Sequence, residues 1–551
     1  MGGNSNIWRI KLVAWTHDPA EKALILMRGP DPHEEAVKDL RQVLHLDDVP
    51  QKELELAIRA DHWASALDRP QHPQELGHWP PEVHFWKEPE LVHPLAGDRY
   101  RLSELWEDSR EWIELTTFVH LLKLLNEVHP NHEEPLSDEK AFLALWRLAP
   151  EKGPTQLKLG HLWRLLPADS RVPDHSIWEH LALTSAIATS FATGDVPALL
   201  HVSLGPVQSF IEQARTLSDL WAGSHLLSYL AWHAIKPIAE AFGPDVVIYP
   251  SLWGVPLVDV WLQNEKGIPL ELPWWEMQSD ANPLFRAALP NVFVALVPEK
   301  EGNAVLQRVQ ASVAKALDEI VQAMVQRLLE DAGEPLSEEK TDYLAVQVKE
   351  HLEGFPELKY ALVPFSPLTD GGDSIKPEGY QRLKELIGKF RESQEGKPSS
   401  FLDHPFWKVL EDKLEKKDSR SPGEWAISDT NTAFSVRYQP NPGSLYPALR
   451  ELADDYLAMA KSVRDFNPQV HEGFRCDLCG ERQWLSLPEE EHTRGVPPGR
   501  RRSANKTIWL RLEDKPIWGR KGEHLCGRCA LKRFWPAYFA EQVTRWQGGE
   551  E

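Results

Sequence analysis

Cysteine and methionine are scarce in this chain, with four and five residues in 551. Four cysteines are too few for the disulfide framework of a secreted scaffold, and their arrangement as two close pairs suits a metal site in a reducing compartment. Basic residues are also in deficit, 61 Lys and Arg against 83 Asp and Glu, for a net charge of -22. This excludes a protein that coats nucleic acid with its whole surface, because phosphate neutralisation needs cations in excess; a local basic groove or a metal-dependent site stays open. No apolar run approaches bilayer length. The N-terminal apolar stretch is broken by Arg9 and Lys11, lacks a small-residue cleavage site and has Asn6 where myristoylation wants Ser or Thr. The expected location is cytoplasmic, with no membrane partner.

At this length two to four domains are expected. Residues 1–192 read as a helical domain, with amphipathic segments at Ile7–Met27, Lys52–Leu67, Leu102–His129 and Pro173–Phe191. From Pro197 the pattern changes. "PALLHVSL" is a β run, Pro206 to about Ala239 is helical, "DVVIYP" and "NVFVALVP" are β, Asn303–Glu330 is helical and "YALVPF" is β. The order β-α-β-β-α-β over residues 193–370 is the ferredoxin-like plan, which also forms the core of nucleotide-polymerising palm domains and of many unrelated proteins. Residues 371–551 read as a helical domain that carries the cysteines, with "RESQEGKPSS" and "EKKDSRSPGE" as exposed connections. The fold class is multidomain α+β.

Three constellations carry chemistry. Cys476-x-x-Cys479 and Cys526-x-x-Cys529 supply four thiolates for one tetrahedral Zn(II), a closed structural site with no position left for catalysis. Between the pairs, Arg500, Arg501 and Arg502 form either a basic tip for a nucleic-acid backbone or a solvated loop. The second constellation begins with adjacent His17 and Asp18 and gains Asp61, Asp174, His175 and His180. If Asp61 and His180 converge on His17 and Asp18, the set resembles an HD phosphohydrolase, in which a divalent ion activates water against a phosphodiester. The plain alternative is histidines that cap helices and pair with the acidic surface. The third is the β-to-α turn Gly205-Pro206, with Gln208 and Ser224 on the helix beyond it, where helix N-terminal amides face an anion or a base. It also admits a reading as a tight joint. "TDGGDS" imitates a metal-binding GGDD hairpin, but Ser374 stands where a second carboxylate is needed, so it reads as a loop.

"SLGPVQSFIEQARTLSDLWAGSHLLSYL", "LPADSRVPDHSIWEHLALTSAIA" and "LCGRCALKRFWP" together resemble the large palm-domain subunit of type III CRISPR RNA-guided effector complexes, Cmr (III-B) subtype. The resemblance implies a permuted HD nuclease domain, a first palm and a zinc-bearing helical domain. It assigns His17, Asp18, Asp61, Asp174 and His180 to an ion, Mn(II), Ni(II) or Mg(II), with His17, Asp18, Asp61 and His180 catalytic. It makes Gly205, Gln208 and Ser224 the nucleotide-facing part of the first palm, beside ATP. The implied partners are other Cmr-type subunits, guide RNA, target RNA and single-stranded DNA as substrate. The chain ends where the second palm of such a subunit would begin and contains no GGDD, so cyclic oligoadenylate synthesis is not expected of this polypeptide alone. Two further readings compete. One is an assembly scaffold with a degenerate HD pocket, suggested by Pro19 and Ala20 after the dipeptide; the other, a stand-alone cyclase or polymerase, lacks the paired carboxylates it needs.

Overall fold

A computed structural model describes residues 4–25, 33–68, 74–75, 90–92, 98–101, 109–130, 136–169, 175–369, 371–392, 401–403, 434–435, 440–463, 474–488, 490, 507–519 and 522–548. Asp174, Arg500–Arg502 and most of the two polar connections expected after Gly371 lie outside them. In chain order the principal elements are α1 (Asn4–Trp15), α2 (Gln51–Asp68), α3 (Arg110–Val128), α4 (Asp138–Leu148), α5 (Ile177–Ala192), β1 (Pro197–Gly205), α6 (Gln208–Glu212) and α7 (Leu217–Phe242). There follow β2 (Val247–Tyr249), α8 (Pro256–Asn264), β3 (Val292–Pro298), α9 (Gly302–Asp331), α10 (Glu338–His351), β4 (Glu357–Pro364), α11 (Pro377–Glu392), α12 (Tyr446–Ser462) and α13 (Gly527–Trp546).

The first five helices pack on one another, α5 against both α1 and α2. α5 carries the fewest charged residues of the five, because it is enclosed on nearly every side: Ile177, Trp178, Leu181, Ala186, Ile187 and Phe191 are all buried. Its start is set by a capping box in which Ser176 accepts from the Glu179 amide and the Glu179 carboxylate accepts from the Ser176 amide. The helical stretch also holds a short antiparallel pair, Glu90–Val92 with Arg99–Arg101, which helical periodicity did not anticipate.

The four-stranded sheet has the order β2-β3-β1-β4 and every neighbouring pair is antiparallel. β1 lies in the interior, and its first eight residues are buried, so both of its faces are covered. On one face Gly302, at the start of α9, sits so close to Leu362 that a Cβ there would lie 2.6 Å from Leu362 Cδ2. On the other, His201 Nδ1 lies 3.0 Å from Asp454 Oδ1 of α12. α12 therefore covers the sheet, although in sequence it belongs with the cysteine-bearing segment.

Two features of this region differ from the expected single helix at Pro206–Ala239. The chain breaks at Gln213–Thr216, where Thr216 and Asp219 form a capping box that restarts it as α7. Lys532 Nζ of α13 donates to the carbonyls of Phe210 and Gln213, removing the need for helical partners there. Helices α8 and α10, inserted between strands, were likewise not read from the sequence.

Candidate metal centres and the strand-to-helix turn

The first centre assembles at the end of α1. Thr16 donates through its hydroxyl to the Leu12 carbonyl, and Pro19 stops the helix, so His17 and Asp18 fall in the turn beyond it. Arg41 holds that turn, with Nη2 2.5 Å from the Thr16 carbonyl. Asp61 comes from α2 and His180 from the first turn of α5. Asp18, Asp61 and His180 each place a ligand atom within 4.8 Å of the others. His180 Nε2 is 2.9 Å from Asp61 Oδ1 and 3.6 Å from Asp18 Oδ2, and His17 Nε2 is 3.5 Å from Asp61 Oδ2. Asp18 and His180 form the floor, with side chains 2% and 1% exposed, while His17 and Asp61 border solvent at 16% and 18%. Four of the residues singled out in the sequence are thus brought together.

His33 completes the group and was missed: its Nε2 lies 2.8 Å from Asp18 Oδ1. It stands in a short turn fifteen residues after Asp18, with no helical spacing to mark it. Lys22 Nζ lies 2.6 Å from the other oxygen, Asp18 Oδ2. Burial alone would push both carboxyls up, but the hydrogen bond with His33 and the charges of Lys22 and His180 hold Asp18 well below the usual carboxylate range. For Asp61, bonds with His17 and His180 likewise overcome burial. Nearby Glu21 is wholly buried, and desolvation raises its pKa to about 8. Two ionised carboxylates and three imidazoles form a mixed oxygen and nitrogen donor set that fits a divalent ion of the Mn(II), Ni(II) or Mg(II) kind.

The second centre unites Cys476, Cys479, Cys526 and Cys529, whose sulfur atoms all lie within 4.8 Å of one another. Cys479 Sγ and Cys526 Sγ are 3.7 Å apart, close to the edge of about 3.8 Å that a tetrahedron with Zn–S bonds of about 2.3 Å requires. The first pair sits on a knuckle closed by the Gly480 amide donating to the Cys476 carbonyl, with Gly480 at φ +68°, a conformation that favours glycine. The second pair opens α13, Cys526 being its N-cap. Gly527 is required by close approach, since a Cβ there would lie 2.9 Å from Val348 Cα of α10. Mutual hydrogen bonding holds the Cys479 thiol far below its ordinary value and drives Cys526 and Cys529 up, the behaviour of sulfurs packed too closely for all to ionise without a cation.

The Gly205–Thr216 turn lies against this second centre. Gln208 is exposed and Ser224 half-buried, and Gly223 lets α6 approach α7, a Cβ there lying 3.3 Å from Ile211 Cα. Arg215 pairs with Glu523 at 2.6 Å and donates to the Asp477 carbonyl, Gln213 donates to Glu481 at 2.7 Å, and Arg533 pairs with Asp219 at 2.5 Å. The cysteine module therefore braces the turn from both knuckles. Within TDGGDS, Thr369 Oγ1 donates to the Gly372 carbonyl. Its Asp373 accepts from Trp63 Nε1 and pairs with His62, next to Asp61.

Residues 199–322, from β1 into α9, match the family model described as CRISPR-associated protein Cmr2, N-terminal. The CRISPR system Cmr subunit Cmr2 of Pyrococcus furiosus is 24% identical over 572 residues, covering 97% of this chain and 56% of that protein. The CRISPR system CMR subunit Cmr2 of Saccharolobus solfataricus is 37% identical over 89 residues, 16% of this chain and 8% of that protein. The chain thus spans about half the length of the Pyrococcus relative. Among solved structures, type III-B Cmr-beta in its apo state matches with a TM-score of 0.53 at 17% identity, over 98% of this chain and 51% of that one. Cmr-beta bound to cognate target RNA matches with 0.52 at 18% identity, over 98% and 50%. Among the described residues no helix is long and apolar enough to cross a membrane. A Cmr2 model fitted to the sheet region, a Cmr2 relative aligned along nearly the whole chain and a fold shared with Cmr-beta lead to one conclusion: along nearly its whole length the chain is similar to the Cmr2 subunit of CRISPR Cmr systems.

Proposed function

We propose that the chain acts within the large subunit of an RNA-guided type III-B CRISPR interference complex, as a metal-dependent nuclease for single-stranded DNA that responds to target RNA. The observation that carries the catalytic part is the convergence of Asp18, Asp61 and His180 from three helices into one pocket, with His17 at its mouth. A divalent ion bound there would supply an activated water and offset charge on the phosphoryl oxygens. The chain's own part is to keep Asp18 and Asp61 ionised at neutral pH, to orient them through His33 and His180, and to leave His17 on the solvent side where a strand enters. On this reading residues 1–192 are an HD-type domain, 193–370 a first palm and 371–551 a helical domain built on a structural Zn(II). The antiparallel order β2-β3-β1-β4 supports the palm assignment. Gly205, exposed Gln208 and half-buried Ser224 would face a nucleotide such as ATP. Guide RNA, target RNA and other Cmr-type subunits are the proposed partners, in the cytoplasm.

The test is cleavage of labelled single-stranded DNA by the chain assembled with guide RNA and partner subunits, in Mn(II), Mg(II) or chelator, with and without target RNA. Metal-dependent cutting that is absent from a His17→Ala, Asp18→Ala variant is the expected result. A complex that is intact on target RNA and cuts under no metal would overturn the nuclease reading.

One observation favours a second reading, an assembly scaffold with a degenerate pocket. Lys22 already places an ammonium 2.6 Å from Asp18 Oδ2, where it neutralises the carboxylate that an ion would use. Under that reading the pocket binds Mn(II) no better than the double variant does.

A further inference from the structure

A large cleft belongs to neither metal centre. It has a volume of about 810 Å³ and lies between α2 and the end of the sheet at which β1 begins, lined by Val196, Glu299, Ser366 and Thr369. The turn at Gly205 is at the other end of β1, about 26 Å away at the rise of an extended strand. From α2 the cleft receives Lys52, Leu56 and Arg59, spaced by four and three residues and so on one helical face.

Arg59 is the informative group. Its guanidinium lies 4.0 Å from the centroid of the Phe191 ring, which also lines the cleft. Stacking fixes the guanidinium plane and leaves the N–H fork at its edge for a planar or tetrahedral anion. Arg59 Nε is buried without a hydrogen-bond partner. The acids around it are engaged elsewhere. Glu53 faces Arg9 at 3.6 Å, Asp195 accepts from the Lys300 amide at 2.7 Å, Glu299 Oε1 accepts from Ser366, and Asp373 is taken by His62 and Trp63. The lining also includes the apolar Ile10, Pro50 and Val196, and Glu299 Oε2 is a buried carboxylate oxygen that accepts no hydrogen bond.

We propose that this cleft binds a nucleoside phosphate, with the phosphate on the Arg59 fork and Lys52, and the amine-bearing base toward the apolar lining and Glu299 Oε2. The volume far exceeds that of a lone phosphate and suits a ligand of nucleotide size. The lining supplies cationic side chains for an anion and, in Glu299 Oε2, an acceptor for a hydrogen-bond donor. A free mononucleotide and the phosphorylated end of a nucleic-acid strand present the same chemistry.

Calorimetric titration of the full chain with AMP, adenosine, inorganic phosphate, and a short oligonucleotide with or without a 5′-phosphate tests the site and separates the two sources. AMP is expected to bind at least tenfold more tightly than adenosine and than inorganic phosphate, and Arg59→Gln to weaken it at least tenfold. Lys52 is exposed, so Lys52→Glu, expected to weaken AMP by about threefold or more, keeps the test sound if Arg59→Gln does not fold by circular dichroism. Preference for the 5′-phosphorylated oligonucleotide over AMP assigns the site to a strand end, and the reverse to a free nucleotide. Adenosine binding as tightly as AMP, binding indifferent to both variants, or binding lost in Gln208→Ala but kept in Arg59→Gln would each overturn the proposal.

Discussion

Lys11 Nζ of α1 lies 2.6 Å from Asp245 Oδ2, in the turn that feeds β2, and both side chains are wholly buried. Thr189 and Ser185 of α5 complete the network. A second buried pair repeats the connection: Arg147 of α4 grips Asp259 of α8 through Nε at 2.6 Å and Nη2 at 2.9 Å. The helices that carry the carboxylate and histidine centre are thus bonded to the sheet region by charges that water does not screen.

Breaking one partner of such a pair strands the other. Asp245→Ala is expected to destabilise the chain by about 3–5 kcal/mol in chemical denaturation, whereas Lys11→Met with Asp245→Leu, which removes both charges, costs less than Asp245→Ala alone. Equal cost for the single and double changes would show that the charges do not interact.

The carboxylate centre makes a prediction about Lys22. Asp18→Asn and Asp61→Asn are expected to lower Mn(II) affinity at least tenfold in isothermal titration, since each removes an anionic ligand. Lys22→Ala is expected to raise it several-fold, because the ammonium competes for Asp18 Oδ2. Unchanged Mn(II) affinity in all three variants would disconnect the pocket from metal.

One Zn(II) per chain is expected by elemental analysis of the purified protein, falling to zero in Cys526→Ser, Cys529→Ser. Because Lys532, Arg533, Arg215 and Gln213 tie the turn to this module, amide exchange at Phe210–Asp219 should accelerate in that variant or on chelation. Protection that survives complete zinc loss would show that the brace does not depend on the metal.

His225 sets an acid limit. Its Nε2 donates to the Leu284 carbonyl and its Nδ1 accepts from Trp535 Nε1, so the ring is held neutral, and burial lowers its pKa to about 4. Between that value and about 6.5 the unfolded chain binds the proton and the folded one does not, so stability is present above about pH 6.5 and falls as pH drops toward 4. The largest loss from this group is about 3 kcal/mol. Urea midpoints measured across that range should fall with acid, and less steeply in His225→Phe; an identical slope would assign the acid limit to other groups.

The four-cysteine cluster was legible because each Cys-x-x-Cys turn is local, and two such turns need only meet. The long helix α9 and the four strands were legible for the same reason: periodicity of burial is written over neighbouring residues. The carboxylate centre was legible only as a list. His17 and Asp18 are adjacent, but Asp61 and His180 come from helices far apart in sequence, and spacing does not say that they converge. His33 carried no local signal at all, and neither did Arg59, whose role comes from Phe191 across the fold.

What the sequence by itself determined are the features with short-range causes: the absence of long apolar runs, the paired cysteines, and the alternation of strand and helix from Pro197. Tertiary structure alone decided that the Pro206–Ala239 stretch breaks in two, that α12 covers the sheet, that Lys11 finds Asp245, and that Lys22 stands on Asp18. Each of these depends on a group supplied from a distant part of the chain, and a low-dielectric interior gives such encounters their strength only once the surrounding residues have closed over them.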